Sequence, residues 1–170
     1  MPAELKRNLL YLQLMSRSPL IFLSTYSSKL DDKGRASVPV AFRNILEALG
    51  GEPFVYAYPS FVNECIEVCT TERILFLERS IDSMETFSQQ RDIMATAILA
   101  ACQPLCIDNK GRISLSERLL EFAGITKDLL FVGKGKTFEI WQQEKFDTYY
   151  NYSRNIAKDN QIALKGANAS

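Results

Sequence analysis

Leu30-Asp31-Asp32-Lys33-Gly34-Arg35-Ala36-Ser37-Val38 returns later in the chain as Ile107-Asp108-Asn109-Lys110-Gly111-Arg112-Ile113-Ser114-Leu115. Asp108 stands 77 positions after Asp31, and the segments downstream of the two copies repeat in the same order. After the first, Phe42, Ile45, Leu46 and Leu49 fall at helical spacing, and Gly50-Gly51 stops the helix. After the second, Ser114-Leu115-Ser116-Glu117 is a capping-box pattern that opens a helix over Leu119 to Ala123, and Gly124 stops it. Each half continues with an apolar strand, Phe54 to Tyr58 or Leu129 to Val132, a turn, and a second strand. The second strands end in matching phrases, Ile66-Glu67-Val68-Cys69-Thr70-Thr71-Glu72-Arg73 and Phe138-Glu139-Ile140-Trp141-Gln142-Gln143-Glu144-Lys145. From Ile66 to Phe138 the offset is 72, so the second half is five residues tighter.

Two rounds of strand, glycine turn, strand, short helix, hairpin and helix predict an α+β duplication. Between them, Thr71 to Ala101 is rich in helix formers, with a break expected near Ile81-Asp82-Ser83. The termini match nothing in the repeat. The chain therefore divides into an N-terminal extension (1–20), a first repeat (21–80), a connecting helix (81–101), a second repeat (102–150) and a tail (151–170).

Composition bounds the chemistry. The 170 residues carry 20 Lys plus Arg, 20 Asp plus Glu and no His, and 46% are apolar. A chain of this length buries roughly 70% of its unfolded surface and folds without disulfide or metal. Without imidazole there is no Ser-His-Asp or Cys-His nucleophile and no HExxH zinc site, which leaves catalysis to carboxylates, Lys, Tyr or thiolates alone; this weighs against an enzyme, and neither an enzyme nor a cofactor is expected. Zero net charge argues against indiscriminate polyanion binding, which leaves any nucleic-acid contact to a local cluster. Lys6 and Arg7 precede the apolar run Leu9 to Met15, but Arg17 stands where small residues should mark cleavage of a signal peptide. No apolar stretch reaches the roughly 20 residues of a membrane span, and the chain reads as cytosolic.

The repeated turn supplies the local cluster. Gly34 and Gly111 can take positive φ, which closes a tight hairpin and projects Lys33 and Arg35, or Lys110 and Arg112, from its tip. The planar fork of Arg can bond guanine O6 and N7, while Lys is a point charge for phosphate. Asp31 and Asp108 lie four residues before their Arg, where a carboxylate can accept turn N–H groups or orient the guanidinium. Read as bare surface ion pairs, such turns are worth at most about 1 kcal/mol. Their retention in both copies favours function.

These residues resemble a known family. Phe22-Leu23-Ser24-Thr25-Tyr26, then Leu30 to Pro39 with Phe42-Arg43, look like the opening of MraZ, a family of bacterial transcriptional regulators; so do Cys65 to Val68, Ile107 to Ile113 and Phe138 to Trp141. The resemblance spans about residues 21–150. It implies two fused swapped-hairpin β-barrel units of the AbrB/SpoVT type with short helices, related by a pseudo-two-fold duplication and assembled into closed rings. It further implies binding of short repeats in double-stranded promoter DNA of the division and cell-wall gene cluster, usually as a repressor, in the cytoplasm at the nucleoid. The family's Asp-x-x-x-Arg motif falls on Asp31 and Arg35 and on Asp108 and Arg112, with Gly34 and Gly111 in the turns and Lys33, Lys110 and Arg43 at neighbouring basic positions. The chain departs at Ser116, where the family commonly has Pro, and in the leader before residue 21, for which Met15 is a candidate alternative start.

Rival readings are weaker. Cys65, Cys69, Cys102 and Cys106 form two CxxxC pairs, but Cys65 and Cys69 flank a strand-like alternation, and the four read as buried free thiols, not zinc ligands. Gly133-Lys134-Gly135-Lys136-Thr137 imitates a phosphate loop but has Leu130 where a Gly is required and runs into a strand, so it reads as a hairpin turn. Trp141, Phe146, Tyr149, Tyr150 and Tyr152 read as packing before base stacking. The alternative function is a structural or partner-binding ring with no DNA sequence preference. Ring closure is expected on the apolar surface of the Ile74 to Leu99 connection.

Overall fold

The computed structural model describes residues 20–159. The expectations for the leader and for the end of the tail lie outside the described residues. In chain order the elements are β1 (Thr25–Lys29), β2 (Arg35–Ser37), α1 (Val40–Ala48), β3 (Phe54–Pro59), β4 (Ile66–Cys69), α2 (Thr71–Asp82), α3 (Gln89–Met94, continued as a π-helical turn over Ala95–Ala100), β5 (Gln103–Cys106), β6 (Arg112–Ser114), α4 (Glu117–Ala123), β7 (Asp128–Gly133), β8 (Phe138–Gln142) and α5 (Gln143–Asp159). The order is the same in both halves, and α2 breaks after Asp82 where the sequence predicts it. The architecture is mixed α+β.

The halves are interleaved. An antiparallel six-stranded sheet runs β1-β7-β8-β4-β3-β5, so that β1 of the first copy pairs with β7 of the second, and β4 with β8. A separate two-stranded ladder joins β2 to β6. This corrects the expectation of a simple hairpin at each Asp-x-x-Gly-Arg turn: the strands that leave the two turns, β2 and β6, take each other as ladder partners. Both turns still close locally, through Asp31 N–H to Arg35 O (2.9 Å) and Asp108 N–H to Arg112 O (2.9 Å).

The large sheet is buried on both faces at its centre, which is why β7 reads as a continuous apolar run and why Glu139 in β8 is buried, accepting from Trp141 Nε1 at 2.8 Å. Leu129, Phe131, Phe138 and Ile140 join Val55, Ala57, Ile66 and Val68 in the main core, beneath α1, α4 and the β2–β6 ladder. At its centre Phe22, Phe42, Phe131 and Phe138 pack with centroids 5.0 to 6.5 Å apart, mostly edge to face. On the opposite face Cys65, Leu130, Val132 and Trp141 form a smaller cluster closed by Phe146 and Tyr149 of α5. Trp141 stacks on Tyr149 at 5.2 Å, whereas Tyr150 and Tyr152 are exposed.

Local signals account for most boundaries. α1 carries Phe42 and Leu46 on its buried face and stops in a Schellman pattern, Gly51 N–H to Leu46 O (3.1 Å) and Gly50 N–H to Glu47 O (3.3 Å). α4 is capped by Ser116, whose Oγ accepts from Leu119 N. The expected box from Ser114 to Glu117 does not form, because Ser114 is the last residue of β6 and too early in the chain to cap. Ser116 lies 77 positions after Pro39, the residue that precedes α1, and does by side chain what Pro39 does by fixed φ. The Gly133 to Thr137 segment is the β7–β8 turn, closed by Lys134 N–H to Thr137 O at 2.9 Å. Gly133 is required by contact: a Cβ there would stand 2.5 Å from the backbone of Phe22 and Leu23.

The reading of all four thiols as buried is corrected. Cys65 and Cys69 are buried, and burial pushes both up, Cys69 to about 12; Cys102 is half-buried, and Cys106 is exposed on the edge strand β5. No helix among the described residues is long and apolar enough to cross a membrane.

Candidate nucleic-acid interface

Each turn is organised around its aspartate. Asp31 Oδ1 accepts from Lys33 N (2.9 Å) and Arg35 N (3.0 Å), and its Oδ2 accepts from Arg35 Nε (2.8 Å) and lies 2.6 Å from Nη2. Asp108 repeats the arrangement on Lys110 N (2.9 Å), Arg112 N (2.9 Å), Nε (2.8 Å) and Nη2 (2.7 Å). One carboxylate thus shapes the turn and holds the guanidinium, the two roles left open by the sequence. The hydrogen bonds from Arg35 and Arg112 lower Asp31 and Asp108 to about 2, and Asp31 in turn raises Arg35. The turns need glycine, since Gly34 and Gly111 sit at φ 69° and 74°.

The ladder then brings the two turns together. Arg35 lies opposite Ser114 and Arg112 opposite Ser37, with the buried pair Ala36 and Ile113 between them. Val38 N–H to Gly111 O (2.9 Å) and Leu115 N–H to Gly34 O (3.0 Å) extend the ladder symmetrically at both ends. Arg112 Nη1 reaches Asp31 Oδ2 across the dyad at 3.8 Å. Both arginines are about three-quarters covered, with side chains 28% and 23% exposed, and Lys33 and Lys110 are exposed. Of five guanidinium N–H groups, two in each Arg bind the aspartate, which leaves the outer Nη1/Nη2 edge for another acceptor.

Arg43 joins the site from α1. Its Nε donates to Val38 O at 3.2 Å, and its guanidinium lies over Gly111, where a Cβ would stand 2.7 Å from Cδ and Nη1. With Lys110 it lines a groove that also takes in Ser27, Ser28 and Ser37. The serines were missed in the sequence, because β1 and β2 reach this groove only through their pairing with the other copy. At the equivalent position of the second copy Leu120 stands over Gly34, so the pseudo-dyad is broken here. The two turns with Arg43 carry five cations, Lys33, Arg35, Arg43, Lys110 and Arg112, against three aspartates, Asp31, Asp32 and Asp108, and Glu47 and Glu52 line a further groove with Arg43 and Asp108. No group of three or more potential metal ligands occurs among the described residues.

The fold and these paired turns define a class of internally duplicated α+β proteins in which two copies of an Asp-x-x-x-Arg turn meet across one ladder. The family model described as "MraZ protein, putative antitoxin-like" matches residues 98–165. A Transcriptional regulator MraZ from Pelagibacter ubique (strain HTCC1062) is 47% identical over 145 residues, covering 85% of this chain and 93% of its own length. Those of Rickettsia felis (strain ATCC VR-1525 / URRWXCal2) and Rickettsia canadensis (strain McKiel) are 41% and 40% identical over 150 residues, covering 87% of this chain and 99% of their own. The chain belongs to the MraZ family of transcriptional regulators, which are not enzymes.

Proposed function

We propose that this chain is a sequence-specific, DNA-binding regulator, a repressor of the bacterial division and cell-wall gene cluster, which acts in the cytoplasm at the nucleoid and binds repeated promoter elements as a closed ring. The observation that carries this reading is the meeting of two Asp-locked basic turns on the β2–β6 ladder. The exchange of β2 and β6 between copies supports two fused swapped-hairpin barrel units of the AbrB/SpoVT type, repeats 21–80 and 102–150 joined through 81–101.

In this reading Arg35 and Arg112 present their outer edges to base edges, where an end-on fork fits guanine O6 and N7. Lys33 and Lys110 hold phosphates, and Arg43 adds a cation to the groove beside Lys110. Asp31 and Asp108 fix the guanidinium before DNA arrives, so little side-chain freedom is lost on binding. A single neutral subunit with one pair of tips binds weakly. A ring on repeated elements converts each further contact into an intramolecular one.

The test is a titration of the purified protein against duplex from upstream of its own gene and a scrambled duplex at two salt concentrations. Preference for the native duplex, with log affinity falling by about 0.9 per phosphate contact against log salt, is the expected result. Equal, negligible binding to both at low salt overturns the reading in favour of a structural or partner-binding ring.

A further inference from the structure

A complementary pair of surfaces lies on and beside α2. Along α2 from Thr70 to Arg79, with the segment at Leu20 and the β7–β8 loop as its other walls, runs a cavity of about 290 Å³. Leu20, Leu49 and Phe76 give it an apolar lining and are 47%, 41% and 50% exposed. Arg73, Arg79 and Lys136 line it too, against one carboxylate, Glu72. None of these cations is in an ion pair among the described residues. The Arg73 Nε is buried with no hydrogen-bond partner among them. Thr70 does not cap α2 with its side chain, so the positive end of the helix dipole adds to the same rim.

Past the C-terminal end of α2, the connection to α3 presents Phe87, which is 99% exposed. Its φ is 65°, a region bulky side chains rarely adopt. Glu85 on the same loop and Asp92 on α3 are exposed, and neither is in an ion pair among the described residues, while Arg91 beside them is taken up by Asp82 at 2.7 Å. One molecule therefore carries an aromatic knob in an acidic setting and an apolar hole with a cationic rim.

We propose that Phe87 of one copy of this chain fills the cavity of the next, with Glu85 and Asp92 meeting Arg79 and Lys136. The cavity is larger than a phenyl ring, and an aromatic anchor inside a charged rim is the arrangement that concentrates binding energy at interfaces. Knob and hole are different surfaces, so the contact is heterologous and repeats head to tail, giving a ring where the rotation closes. The assignment rests on the ring reading above and supplies its residues.

Sedimentation equilibrium of the full chain and of the variants Phe87→Asp and Phe76→Glu tests it, with circular dichroism to confirm that both variants fold. Wild type is expected to be oligomeric and each variant monomeric. Their equimolar mixture is expected to reach the dimer and stop, because it holds one intact knob and one intact hole. Lys136→Glu, on an exposed loop, replaces Phe76→Glu if the latter disturbs α2. Variants that keep the wild-type mass overturn the assignment and leave the ring reading standing, and a mixture that stays monomeric overturns it too. A wild type monomeric at every concentration overturns the ring reading itself, and this assignment with it.

Discussion

Asp31 and Asp108 each gather two backbone N–H groups and a guanidinium, and their acidity carries the signature. Both fall from an ordinary 3.8 to about 2 in the folded chain. The folded state thus favours the ionised carboxylates, whose contribution to stability is complete above about pH 4 and disappears as the pH falls through about 2. Urea titrations between those limits are expected to show stability dropping with acid in the wild type and less steeply in Asp31→Asn with Asp108→Asn. Arg35→Ala is expected to weaken specific duplex binding about 5- to 150-fold by fluorescence anisotropy while leaving the circular dichroism spectrum unchanged. Binding equal to wild type removes Arg35 from the interface. The Asp-to-Arg contact was legible from a four-residue spacing across a glycine turn. The seating of Arg43 on Gly111 was not, since residues 68 positions apart meet only through the β2–β6 ladder.

Among the elements, periodicity and punctuation located strands and helices well: Phe54 to Tyr58, Leu129 to Val132 and the break after Asp82 all appear where expected. Pairing was hidden, because alternation says which face of a strand is buried and nothing about its neighbour. The capping error at Ser114 has the same origin, for a Ser-x-x-Glu phrase cannot reveal that its first residue is still held in a strand. Gly133 shows what pairing demands. It donates to Ser24 O at 2.8 Å while the chain at Phe22 and Leu23 crosses directly over it. Gly133→Ala has no flexible side chain to push aside, so it is expected to cost at least the upper part of the roughly 1 to 3 kcal/mol typical of overpacking. Chemical denaturation checks this, with Gly135→Ala as a comparison, where an added Cβ meets nothing within 4 Å although φ is 85°.

For the whole molecule, interleaving removes the independence that a sequence duplication suggests. Among the described residues β1 finds its only ladder in β7, β4 lies between β3 and β8, and β2 has no sheet partner except β6. Residues 20–101 or 102–159 expressed alone are expected to lack dispersed amide signals in a proton–nitrogen correlation spectrum, and mixing them to restore the spectrum. A well-folded isolated half would show that the shared sheet is not what holds the halves.

The broken dyad at Arg43 and Leu120 has a consequence for heredity. In a dimer of identical subunits every mutation strikes both members of a symmetric site at once. Here the two members are separate codons of one gene, so Arg43 can change over Gly111 while Leu120 keeps its place over Gly34. The duplicated turn can be tuned one side at a time.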